Sequence, residues 1–166
     1  MSYELTGGID LSEIEGVSSQ TLLALVSEIG ANVSAFATAK QFTSWLRLAP
    51  NNKKTGGKVI SNRTPKKKNK LGLALLRVGN VIGSNLKDGA LHHFFKRIKA
   101  RSGHIEATVA TARKVAVIIW NMLTKKEAYQ PTENEDYLQQ VKKNAIKNIK
   151  KKLARLGITP EEIVLA

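Results

Sequence analysis

The 166-residue chain contains no cysteine, which excludes a disulfide framework and a thiolate-ligated zinc site. No apolar run approaches the roughly 20 residues that a membrane-spanning helix requires. The opening stretch, MSYELTGGID, has neither the basic start nor the apolar middle of a signal peptide. Together these absences predict a cytoplasmic protein with no membrane partner. Acidic residues are scarce over a long middle stretch: between Ala31 and Ala100 a single carboxylate, Asp88, stands against fifteen Lys and Arg. Two-metal nuclease chemistry needs several oxygen ligands close together, and this half offers none, so no metal site is expected in the chain. The first thirty residues reverse the balance, with five carboxylates and no Lys or Arg.

What the chain does have is positive charge. The formal net charge is +14 and the isoelectric point about 10.1, more than solubility requires, and the usual partner of such a surface is a polyanion, nucleic acid first. At this length one domain, or one domain with an appended helix, buries a real core.

Helical signals dominate. LSEIEGVSSQTLLALVSEIG reads as a short helix over Leu11–Glu15, a turn at Gly16, and a helix whose Leu22, Val26 and Ile29 recur at helical spacing until Gly30. Thr38 followed by Gln41 is a capping-box pattern, after which Phe42, Trp45 and Leu46 supply the buried face of a short helix ending before Pro50. Leu71, Leu75, Val78, Ile82 and Leu86 trace one apolar stripe despite Gly72, Gly79 and Gly83, whose expected role is to let a neighbour approach closely. Leu91, Phe94, Phe95 and Ile98 form the inward face of the next helix, and Ala107–Leu123 reads as the central buried helix. Leu138, Val141, Ala145, Ile149, Leu153 and Leu156 mark a last helix with lysines on its other face, and Thr159 and Pro160 a turn after it. Strand alternation is confined to Lys58–Ser61. The fold class is mainly α: a compact helical domain over 1–130, holding a helix-hairpin-helix-like element (10–30) and a basic Gly-containing loop (50–70), followed by a C-terminal basic helix and tail (131–166).

Three stretches carry candidate chemistry. In IEGVSSQTLLALV, the turn at Gly16 with Ser18 at a helix start has the form of a helix-hairpin-helix, whose backbone amides bind a phosphate without reading sequence; an ordinary αα-hairpin needs the same glycine. NNKKTGGKV is not a Walker loop, because Asn52 and Val59 stand where that motif needs Gly and a hydroxyl residue. It leaves a turn at Gly56 and Gly57 flanked by Lys53, Lys54 and Lys58, able to wrap a phosphate or to serve as a solvated loop. Arg63, Lys66, Lys67, Lys68 and Lys70 extend its charge without an acidic interruption. In LHHFFKRIKAR, Lys96, Arg97, Lys99 and Arg101 are left for backbone contacts, while the adjacent His92 and His93 point to different helix faces and do not share a metal.

Taken in order, IEGVSSQTLLALVSEIG, FATAKQFTSWLRLAPNNKKTGGKVISNRT, KNKLGLALLRVG and LHHFFKRIKARSGHIEATVATARKVAVIIWNMLTKKEAY resemble the C-terminal domain of insertion-sequence transposases of the "IS one-ten" type and the related pilin-inversion recombinases. The resemblance implies an all-α DNA-binding domain acting in transposition and DNA recombination. It implies, as partners, a structured guide RNA, an acidic ribonuclease H-like domain that brings Mg2+, and further copies in a homo-oligomer. It also implies a serine nucleophile just before the Gly pair. Here that position is Thr55, and Arg47 stands in WLRLAP where a small residue is expected. With the acidic ligands not found in these residues, the chain is expected to lack strand-transfer activity alone. The alternative reading is a basic helical assembly module without recombinase activity.

Overall fold

The computed structural model describes residues 6, 8–30, 33–61, 63–131 and 135–156, without the side chains at 53, 54, 59, 135–138, 140, 141, 144, 145 and 156. Its elements are a single 3₁₀ turn at Leu11–Glu13, helices α1 (Ser19–Ile29) and α2 (Ala39–Trp45), strands β1 (Lys53–Thr55) and β2 (Lys58–Ser61), and helices α3 (Lys70–Ser84), α4 (Ala90–Ser102), α5 (His104–Lys125) and α6 (Glu135–Leu156). The protein is mainly α, as its periodicity predicts. It divides into two units, Met1–Pro131 and Thr132–Ala166.

The core of the first unit is built on α5, which packs against α2, α3 and α4, with α1 laid on α3. Small side chains make this possible. Gly79 of α3 faces α5 so closely that an added Cβ would stand 2.5 Å from the Thr108 carbonyl, and Ala107, Ala112 and Ala116 of α5 are fully buried. At Gly83 a Cβ would strike the Phe95 ring, and at Gly72 the Leu46 carbonyl. The three glycines of α3 therefore serve close packing, with neighbours that are a helix, a ring and a loop. Leu71, Leu75, Val78 and Ile82 are buried as the stripe requires, while Leu86 lies beyond the helix end and is half-buried.

Caps follow the sequence signals. The Thr38 hydroxyl accepts the Gln41 amide at α2, and Asn69 accepts the Gly72 amide at α3. Between α4 and α5 a single residue, Gly103 at φ 98°, ends one helix and opens the next. The Nδ1–H of buried His92 donates to the Ile82 carbonyl at 2.8 Å, covering one of the carbonyls that the last turn of α3 leaves without a helical partner.

Several expectations need correction. The first helix is only the 3₁₀ turn, because Ile14 turns to extended backbone and Gly16 takes φ 78°. Trp45 is not buried: it is the last residue of a two-turn helix, 38% exposed, with its ring 5.2 Å from Phe36. Phe94 and Ile98 are half-buried, not core. The loop 50–70 contains an antiparallel hairpin, of which the strand expected over Lys58–Ser61 is one arm. The turn at Thr159 and Pro160 lies outside the described residues.

Candidate nucleic-acid interface

The hairpin pairs Thr55 with Lys58 across the two-residue connection Gly56–Gly57, with an irregularity between Lys53 and Lys54. Both glycines have positive φ, 54° and 77°, as a type I′ turn demands because its twist matches that of the strands. An added Cβ at either would meet nothing within 4 Å. Their glycine identity thus answers to backbone conformation, and the space around the turn is open. Thr55 and Lys58 are exposed, so the hydroxyl and one cation of the proposed phosphate-holding turn stand at its edge. The side chains of Lys53 and Lys54 lie outside the description.

Beyond β2 the chain is held by the Asn51 amide, which donates to the Arg63 carbonyl at 3.1 Å. The run that follows is anchored at two points. Arg47 donates from Nη1 to the Lys67 carbonyl at 3.2 Å, and the Lys68 ammonium donates to the Pro65 carbonyl at 2.8 Å. Burial pushes the Lys68 ammonium below the ordinary lysine range, whereas Arg63, Lys66, Lys67 and Lys70 are exposed. Arg47 has φ 56°, in the region that favours glycine.

Gly16 and Ser18 lie on a groove of about 530 Å³ between α1 and α3, shared with Lys70, Leu73, Arg77 and Val81. Gly16 has a packing reason of its own, since a Cβ would sit 3.0 Å from Ile82 Cγ1. Ser18 caps α1 without a side-chain hydrogen bond to its backbone. Arg77 is a residue that sequence reasoning misses, although its spacing of seven from Lys70 places both on one helix face. On α4, Lys96, Arg97, Lys99 and Arg101 are exposed. His93 Nε2 is paired with Asp88 at 3.0 Å, so neither histidine is positioned as a metal ligand. Among the described residues no three imidazole or carboxylate groups converge on a metal site, and no step through Mg2+ is assigned to them. No helix among them is long and apolar enough to cross a membrane.

Glu15 escapes any local signal. Its Oε2 is buried without a hydrogen-bond partner, and an added Cβ on Gly89 would strike the carboxylate. Burial pushes its pKa up, the Leu91 N–H in the first turn of α4 works against that, and Asp88 adds to it.

Fold and surface together define a compact helical domain that carries a basic hairpin and a basic helix. Residues 10–87, just under half of the chain, match the family model described as Transposase IS116/IS110/IS902 family. Comparison with curated proteins and with solved structures gave no match.

Proposed function

We propose that the chain is the DNA- and RNA-binding domain of a transposase or site-specific recombinase. In this reading it works in strand exchange with an acidic ribonuclease H-like domain that supplies the metal chemistry, a structured guide RNA, and further copies of itself. The observation that carries the reading is the family match over residues 10–87, which takes in the Gly16 turn, the hairpin and the basic run in one span. The exposed lysines along that span supply phosphate contacts that position nucleic acid without reading its bases.

Affinity for duplex DNA or folded RNA should fall steeply with salt, because neutralised phosphates release counterions. Replacing Lys66, Lys67 and Lys68 by Ala should weaken binding about equally for unrelated sequences, with only the small loss of melting temperature that goes with the Lys68 anchor. A binding curve that does not respond to salt would remove the reading.

In the same reading Thr55 is the nucleophile, its oxygen attacking phosphorus to form a phosphothreonine linkage while the 3′-oxygen of the broken strand leaves. The exposed turn admits a phosphate beside the hydroxyl, but the threonine methyl crowds in-line attack. The isolated chain should give no protein–DNA adduct on a denaturing gel. With the acidic domain supplied, Thr55→Ser should give more adduct than the wild type; an adduct retained by Thr55→Ala would show that another residue attacks.

A further inference from the structure

We propose that Phe94, Arg97 and Lys114 form a docking point for the phosphate groups of a nucleic-acid backbone, spanning α4 and α5; this deepens the nucleic-acid reading above and rests on it. Lys114 Nζ lies 4.5 Å from the centroid of the Phe94 ring, and the Arg97 guanidinium carbon 5.4 Å from the same centroid. Two cations from two helices are therefore gathered at one half-buried ring. The ring's negative faces offset part of their charge, but like charges so placed repel. Burial holds the Lys114 ammonium below the ordinary lysine range, and the nearby Arg97 charge adds to this. Among the described residues no carboxylate pairs with Lys114.

An anion arriving at Lys114 would relieve that repulsion. A phosphodiester suits the place better than an isolated carboxylate, because Lys114 offers a compact point charge and a backbone presents acceptor oxygens in succession. The exposed Arg101, one turn beyond Arg97 on the same face of α4, continues the positive surface along which the rest of a strand would run. Resting on the ring also holds the two long side chains in place before binding, which lowers the ordering cost of association. Inorganic phosphate has the same local chemistry without the continuation.

The test is the salt dependence of binding to a short labelled duplex, followed by anisotropy. Lys114→Gln should reduce the slope of log affinity against log salt by about 0.9 for each phosphate that the variant no longer neutralises, and Lys114→Arg should restore it. Lys125→Gln removes the same charge from the exposed last turn of α5 and should leave the slope unchanged. An equal reduction for Lys114→Gln and Lys125→Gln would overturn the docking point in favour of a diffuse field. No reduction for Lys114→Gln, while the Lys66–Lys68 triple variant still binds weakly, would overturn it and leave the nucleic-acid reading standing; salt-independent binding by the wild type would remove both. Inorganic phosphate at matched ionic strength is the last arm. If it raises the melting temperature of the wild type but not of Lys114→Gln, and the two have equal DNA slopes, the site belongs to a free anion and the backbone assignment fails.

Discussion

Helices α5 and α6 are each 22 residues long and share little else. In α5 three residues are Lys or Arg, and Val115, Ile119, Met122 and Leu123 are buried together with three alanines. In α6 seven are Lys or Arg, and Ile146 and Ile149 remain 54% and 56% exposed. The same apolar residue type, isoleucine at helical spacing, is thus spent in one helix on filling a core and in the other on a surface interrupted by lysines. Periodicity alone does not separate these uses; the small residues do, because Ala107, Ala112 and Ala116 let three neighbours close on α5 at once.

Four variants span the range of expected effect, and the first and last of them test this contrast directly. The largest effect is expected from Ile119→Ala, which empties space at a site 1% exposed and should cost about 2–5 kcal/mol in denaturant unfolding. An intermediate effect, about 1 kcal/mol, is expected from Glu15→Ala, which removes the acceptor of the Leu91 N–H in the first turn of α4. Glu15→Gln sharpens it. Because burial raises the Glu15 pKa, the folded state favours its protonated form, a contribution complete below the ordinary carboxylate range and lost as pH climbs through the raised value. Stability relative to the Gln variant should therefore decline from about pH 4 towards neutrality; a flat difference would mean the carboxylate is solvated. The smallest effect belongs to Ile149→Ala, within about 0.5 kcal/mol. A destabilisation there comparable with that of Ile119→Ala would break the contrast, showing that α6 buries this face in solution and favouring its role in assembly.

Much of this architecture is legible along the chain because its causes are local. The cap at Thr38, the stop at Gly30 and the stripe from Leu71 to Ile82 each depend on residues within a turn or two of one another, and the glycines of α3 announce close packing without naming the neighbour. Trp45 misleads because burial of a terminal helical residue is set by what lies beside it, here Phe36, and not by its own period. The hairpin is half visible: β2 alternates, but β1 is three residues long and polar, and only its pairing reveals it. At the candidate interface, charge marks the basic run and α4 at once. Glu15 against α4 and Lys114 over Phe94 leave no trace in sequence, since both are made by residues far apart in the chain.

Arg47 has one further consequence. Glycine would relax its left-handed backbone, yet glycine carries no guanidinium to hold the Lys67 carbonyl. Holding that carbonyl divides the stretch from Ser61 to Asn69 into two shorter spans, and a shorter span has fewer shapes to give up when it settles on a ligand. The arginine thus exchanges a little local strain for a charged segment that has done part of its conformational searching before any partner arrives.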